Sequence, residues 1–369
     1  MTPPRVLRPG FMLRSVRSIG RRPRLTTATV DAVLEAFCEP RGGRIMIPRD
    51  GGGRSASVIL ETVHGRRVLK RYKHAVRDEA IVHEHSVLLH LARIGFGSSV
   101  RVVARPGDGG TLVTIDGDRY ALFEFIPGAF QYYRYLMTPD ARRAFVGQAG
   151  DLLARFHAAL RDFTPSGMNW NGIDPTTGRR ERDLHWYLER LERCRRSGQD
   201  STDTVVRELV RRADALGDEL ARLESRLEAA GLDRQVIHGD FGPHNLLFRD
   251  AAPPVVIDLE ISRLDWRPLE VANALWRFGF DERRGARLAD MATFLDAYQE
   301  RLPLAQPDLA LLADLWRFSH VRRVISNWDL MAGASEPDAR RKVGRHLAMI
   351  DWMNADAPRF RSIVPSPVT

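Results

Sequence analysis

Cysteine is almost absent. Cys38 and Cys194 are the only two in 369 residues, too few and too far apart for a disulfide framework or a cysteine-ligated zinc site. Long apolar runs are missing as well: no stretch approaches the roughly 18 residues that a membrane helix needs. The N-terminus also lacks the apolar centre of a secretory signal, so the chain reads as a soluble, cytoplasmic protein with no membrane span. Acidic residues are absent from the first 26 positions, where seven arginines stand: Arg5, Arg8, Arg14, Arg17, Arg21, Arg22 and Arg24. That stretch carries +7 of the formal net charge of +9, residues 27–126 carry +2, and residues 127–369 are neutral. A basic surface for nucleic acid is therefore disfavoured. Residues 1–26, interrupted by four prolines, read instead as a solvated, disordered arm.

What is present is an ordinary globular composition, 44% hydrophobic and 28% charged, with length enough for two lobes. After the arm, TTATVDAVLEAF reads as a short capped helix with Val30, Val33, Leu34 and Phe37 on one face. The period then changes. RIMIP, SVILETV and RRVLKRYK are β-rich runs separated by turn residues, a three-strand meander. AVRDEAIVHEHSVLLHLARIG follows with Ile81, Val82, Leu88, Leu89 and Leu91 at helical spacing, and Gly95 as its C-terminal stop. VRVVAR, TLVTIDG and DRYALFEFI are further strand candidates, so residues 27–126 form a compact α+β lobe with an antiparallel sheet and one main helix. Residues 127–369 are mostly helical, with TPSGMNWNGIDPTTGRR as a long loop or lid. No internal repeat is found.

One stretch breaks the helical pattern. VIHGDFGPHNLLF places Asp240 five residues before Asn245, and a second short strand, VVID, ends on Asp258. A hairpin of NLLF and VVID joined by RDAAPP brings the start of one strand to the end of the other, so Asn245 and Asp258 converge. Phosphoryl transfer from a nucleotide needs such a set: a carboxylate to orient and deprotonate the acceptor hydroxyl, and hard oxygen ligands for magnesium on the phosphates.

The spacing resembles the catalytic loop of the kinase superfamily, and HGD followed by four residues and Asn is similar to its aminoglycoside phosphotransferase branch, which includes choline and homoserine kinase relatives. The resemblance runs from about residue 30 to about residue 300. It implies a bilobal protein-kinase-like fold, Asp240 as catalytic base, and Asn245 and Asp258 as magnesium ligands. It further implies ATP or GTP as phosphoryl donor, with adenine and guanine left open. Gly239 stands where many protein kinases have an arginine that reads a phosphorylated loop, and LDWRPLEVANALWRF runs straight into a helix without an activation segment. A small hydroxylated acceptor is favoured over a protein.

The first lobe then has to supply the phosphate apparatus. Strand alternation puts Val68 and Lys70 on one face, and Glu84 lies just ahead of the leucines of the next helix, in reach of an ion pair that aims the lysine. Lys73 and Glu79 are the alternatives. Gly51, Gly52, Gly53 and Ser55 join the first two strands, where backbone amides can approach phosphates. ALFEFIPG falls where the family has its interlobe hinge, so the backbone of Glu124 and Phe125 is the expected contact to the base.

Other features receive plainer readings. His238 packs in the loop, His244 has no assigned role, and His74, His83, His85 and His90 make no metal site because no cysteine or acid completes one. The seven tryptophans are packing residues. Glu260, Asp265, Glu270, Asp174 and Asp183 are candidate carboxylates for a cationic acceptor. The expected function is a magnesium-dependent O-phosphotransferase acting on an antibiotic, sugar or amino alcohol. The alternative is a kinase-like module that binds nucleotide without catalysis. Oligomeric state is not legible.

Overall fold

The structure, a computed structural model, describes residues 25–49, 55–127, 130–131, 138–169, 171–249, 252–281, 285–333 and 337–364. Gly51, Gly52, Gly53 and residues 1–24 of the basic arm lie outside these, so the expectations for them stand untouched. Thr26 caps helix α1 (Thr27–Ala36), accepting from the Thr29 amide at 3.1 Å. Five strands follow: β1 (Arg44–Arg49), β2 (Ser55–Thr62), β3 (Gly65–Tyr72), β4 (Val113–Ile115) and β5 (Asp118–Glu124), with helix α2 (Asp78–Arg93) between β3 and β4. They form one antiparallel sheet in the order β1-β2-β3-β5-β4.

Alternation along β3 decides what each face of this sheet does. Leu69, with Val58, Leu60 and Leu122, packs under Val30, Val33 and Leu34 of α1 in a core of its own. Val68 and Tyr72 face the other way, into the main core with Ile81, Leu88 and Leu91 of α2. Lys70 shares that second face. Helix α2 ends as expected: Gly95 takes φ +74° and the Phe96 amide reaches back to the Leu91 carbonyl at 2.9 Å. Two residues read as part of its apolar stripe, Val82 and Leu89, are instead exposed at 45% and 41%, because the buried stripe is narrower than the run of apolar letters.

VRVVAR is not a strand. It makes one isolated bridge, Val102 to Phe123, plus hydrogen bonds from the Val103 amide to the Leu122 carbonyl and from the Glu124 amide to the Arg101 carbonyl. The reason is shared space: β4 already occupies the first half of that β5 edge, pairing with residues 118–120.

The remainder is helical apart from short strands: β6 (Phe130–Gln131), α3 (Pro139–Ala159), α4 (Leu184–Gly198), α5 (Thr204–Ala229), β7 (Arg234–Ile237), β8 (Leu246–Arg249), β9 (Ala252–Val256), β10 (Arg263–Trp266), α6 (Arg267–Gly279), β11 (Phe280–Asp281), β12 (Gly285–Ala286), α7 (Leu288–Arg301), α8 (Gln306–Ala310), α9 (Leu312–Gly333) and α10 (Pro337–Arg361). Gly150 lets α3 lie directly on α7, since a methyl there would overlap the Phe294 carbonyl oxygen. The segment expected to be a long loop or lid is strapped down. Ser166 bonds Ser86 of α2, Asn169 donates to the Glu260 carbonyl at 3.0 Å, and the Ile173 amide donates to the Leu264 carbonyl at 2.8 Å. Among the described residues no helix is long and apolar enough to cross a membrane.

Candidate active site

Strands β8 and β9 form the expected hairpin, with Leu246 opposite Val256, and the Ile257 amide donates to the Asn245 carbonyl at 3.0 Å. Asn245 and Asp258 are thereby brought to one end of it. Asp258 has φ +61°, a left-handed conformation that aspartate tolerates better than most residues and that concentrates at functional sites. Its side chain is 52% exposed. Asn245 is buried and donates its Nδ2 to the Asp240 carbonyl at 3.0 Å and to Asp240 Oδ2 at 3.2 Å. Both of its amide donor contacts therefore point toward Asp240, leaving the Oδ1 oxygen as the acceptor end. An amide oxygen beside an exposed carboxylate is a hard donor pair that suits magnesium, which keeps several waters or phosphate oxygens of its own. Among the described residues no group of three or more His, Cys, Asp or Glu side chains can hold a metal without such help.

His238 ties the loop to the hairpin. Its Nε2 lies 3.0 Å from the Ile257 carbonyl and so carries the proton, which leaves Nδ1 to accept from the Asp240 amide at 3.2 Å. It is fully buried and positions rather than shuttles. Gly239 is required here: it holds φ +82°, and any side chain would overlap the Ile261 carbonyl and the Arg263 guanidinium. Buried Glu270 on α6 completes the frame, accepting from the His238 amide at 2.7 Å, the Gly239 amide at 2.5 Å and His157 Nε2 at 3.0 Å.

Asp240 itself forms an ion pair with Arg277 of α6 and lies 3.1 Å from His244 Nε2. Burial works to raise its pKa, but Arg277 first, then His244 and His238, hold the carboxyl far below the ordinary range. Neither Arg277 nor the contact of His244 was legible in the sequence. His244 lies four positions after Asp240, which is the only local signal.

From the other lobe, Lys70 Nζ reaches Glu84 Oε1 at 2.8 Å, Glu260 Oε2 at 3.3 Å and Asp258 Oδ1 at 3.5 Å. Lys73 and Glu79 are exposed, and the buried ion pair forms between Lys70 and Glu84. Burial disfavours the Lys70 ammonium, yet Glu84, with smaller contributions from Tyr72, Asp258 and Glu260, more than offsets it and keeps the lysine charged. Tyr72 was not anticipated as a site residue. Its hydroxyl donates to Glu84 Oε2 at 2.8 Å and accepts from His85 Nε2 at 2.9 Å, while His85 Nδ1 takes the Thr111 hydroxyl at 2.7 Å. Burial pushes the His85 pKa down to about 3, so this relay is neutral up to Glu84. Tyr72→Phe removes the bond to the Glu84 carboxylate, and an expected loss of about 1.5–3 kcal/mol is measured as a lowered urea midpoint. An unchanged midpoint would show that Glu84 does not depend on it.

The candidate carboxylates each have protein partners. Glu260 lies against Lys70, Asp265 is locked between Arg180 at 2.5 Å and Arg263 at 2.8 Å, and Glu270 serves the loop amides. Asp174 accepts the Thr176 amide inside its own turn, and Asp183 caps α4 through the Trp186 amide. Charge counting cannot distinguish a committed carboxylate from an available one. A cavity of about 280 Å³ is lined by Met168, Gly172, Asp174, Thr177, Arg179, Arg180 and Glu181. At the end of β5, Glu124 is exposed, but its amide is already bonded to Arg101, so a base contact has to come from its carbonyl or from the residues that follow. Phe125 lies beneath the Arg66 guanidinium at 5.5 Å, and Ser55 opens β2 opposite Tyr72.

The chain is similar to known proteins over most of its length. A homoserine kinase of Afipia carboxidovorans is 27% identical over 275 residues, covering 74% of this chain and 76% of that protein. A homoserine kinase of Phenylobacterium zucineum is 26% identical over 266 residues, covering 71% and 72%. Among solved structures, an aminoglycoside phosphotransferase from Alicyclobacillus acidocaldarius superposes with a TM-score of 0.62 at 18% identity, over 94% of this chain and 98% of that one. A microcompartment-associated aminopropanol kinase superposes with a TM-score of 0.61 at 16% identity, over 91% and 99%. These superpositions share the bilobal kinase-like fold. Residues 47–305, more than half of the chain, match the APH phosphotransferase enzyme family, and the chain belongs to it.

Proposed function

We propose that the chain transfers the γ-phosphoryl group of a nucleoside triphosphate to the hydroxyl of a small molecule. The observation that carries this reading is the meeting of two lobes: Lys70 of the sheet lies 3.5 Å from Asp258, at the same end of the hairpin where Asn245 is held against Asp240. The nucleotide lies between residues 27–126 and residues 127–369, with Glu124 and Phe125 at the base, Gly51, Gly52, Gly53 and Ser55 over the phosphates, and Lys70 on the phosphate oxygens. The donor is ATP or GTP. Asn245 and Asp258 hold magnesium, which when bound neutralises charge on the phosphates.

The acceptor oxygen attacks the γ-phosphorus as the bond to the β,γ-bridging oxygen breaks, releasing the nucleoside diphosphate. Asp240 orients the hydroxyl and takes its proton late, which suits a carboxylate of low basicity and a loose transition state. A module that only binds nucleotide has no use for Asp240 in this place. A cytoplasmic location follows from the need for nucleoside triphosphate.

The test is nucleotide consumption with magnesium against pooled alcohols, starting with homoserine, the substrate named for the relatives, then amino alcohols, sugars and aminoglycosides. Turnover in one pool is expected. Failure to bind nucleotide in a metal-dependent way would sink the proposal.

A further inference from the structure

Asp240 has cationic neighbours on α6 and α9. Arg277 of α6 pairs with Asp240, and Arg323 of α9 lies close enough to feel the charges of both. The two guanidiniums share one indole: Arg277 lies 5.2 Å and Arg323 5.5 Å from the Trp276 ring centre. Among the described residues three donors in this cluster, Arg277 Nε, Arg323 Nη1 and Trp276 Nε1, have no hydrogen-bond acceptor, and His320 Nε2, on a side chain only 1% exposed, has no partner either. His320 and His346 share one proton across a 3.0 Å Nδ1 to Nδ1 contact. Buried guanidinium groups without acceptors are costly, and a site that keeps them satisfies them with water or with an anionic ligand.

The charge balance points the same way. One carboxylate, Asp240, faces two guanidiniums, and burial together with Arg277 lowers the Arg323 pKa to about 9, with Asp240 opposing. The five candidate carboxylates for a cationic acceptor each have a protein partner already, as described above. A polycation or a quaternary amine would meet arginine here rather than carboxylate.

We propose that the acceptor carries an anionic group, a carboxylate in the simplest case, held by Arg277 and Arg323 while its hydroxyl lies on Asp240. This rests on the phosphotransferase reading and names the acceptor class for the same site. It separates this chain from alcohol kinases whose acceptors are plain amines, and it admits a hydroxy acid or a zwitterionic hydroxy amino acid. Planar, bidentate recognition of a carboxylate is what a paired guanidinium site does well.

The experiment offers matched acceptors: ω-hydroxy acids of three to six carbons, their amides and the corresponding amino alcohols, with homoserine as the zwitterion. Among them 4-hydroxybutyrate and 3-aminopropanol are homoserine without its amine and without its carboxylate. Turnover is measured with the wild type, Arg323→Gln and Arg323→Lys, alongside nucleotide affinity. Expected are turnover of the acids or the zwitterion with little for amides and amines, and a rise of about 10- to 100-fold in acceptor KM for Arg323→Gln. Arg323→Lys should fall between, with nucleotide affinity as in the wild type in both variants. Preference for amines over acids, absence of any turnover of acids and zwitterion, or an equal loss of kcat for every acceptor class in Arg323→Gln would each overturn the proposal. Nucleotide binding separates the two levels: retained, it confines the failure to the anion site; lost in the wild type, it removes the phosphotransferase reading as well.

Discussion

Asp240→Asn should lower kcat by roughly 10²- to 10⁴-fold, the usual contribution of a positioned general base, while nucleotide affinity stays near that of the wild type. The asparagine keeps the size of the side chain and an oxygen for the acceptor hydroxyl but cannot take its proton. In the proposed reading nucleotide affinity depends on Lys70 and its partner Glu84 rather than on Asp240. Parallel measurements of kcat at saturating acceptor and of nucleotide Kd decide the matter; wild-type turnover would remove Asp240 from the chemistry. A pH corollary follows from the sign of the shift. Asp240 is held well below the ordinary carboxylate range, so it is ionised at every pH where the enzyme works, and an acid-side fall in activity does not come from its protonation. In Arg277→Gln the largest lowering influence is gone, burial acts more freely, and the acid limb should move to higher pH.

What was legible in the sequence is what depends on neighbours in the chain. Asp240, Asn245 and Asp258 stand on a loop and a short hairpin whose turn residues and strand lengths fix their geometry locally. Lys70 was readable from period-2 alternation, and Glu84 from its place ahead of a buried helical stripe. The rest depends on packing between distant segments. Arg277 lies 37 positions beyond Asp240 and meets it only because α6 runs back under the loop. Asp265 and Glu270 looked like substrate carboxylates because a sequence shows a charge but not its partner; one is locked by Arg180 and Arg263, the other by two backbone amides and a histidine. VRVVAR has strong β propensity, and an edge shared with β4 overrides it.

Glu270→Ala should destabilise the protein by about 3–5 kcal/mol, the range for removing one partner from a buried charged network. The carboxylate is 2% exposed and satisfies three donors at once: the His238 and Gly239 amides and His157 Nε2. Behind it the chain of partners is fixed, since His157 Nδ1 must then accept from the Tyr298 hydroxyl at 2.8 Å, which in turn accepts from Arg267 at 3.1 Å. Alanine leaves two loop amides and an imidazole buried without acceptors, at the residues that aim Asp240. Glu270→Gln keeps the volume but has one acceptor oxygen where two are used, so it should lose less stability and still lower kcat with nucleotide affinity retained. That split marks a positioning role rather than a purely structural one. Burial pushes the Glu270 carboxyl up, but His157 and His238 pull it further down, and burial lowers the His157 pKa. Both folded values are therefore depressed. The His157 contribution to stability is present above its unfolded value of about 6.5 and the Glu270 contribution above about 4.3, and each is lost as the pH falls toward its folded value. Glu270 holds the His157 pKa up against burial, so urea midpoints measured between pH 8 and pH 5 should fall with acid in the wild type and more steeply in Glu270→Gln. An equal slope in the two proteins would show that this carboxylate does not hold the catalytic loop in its charged form.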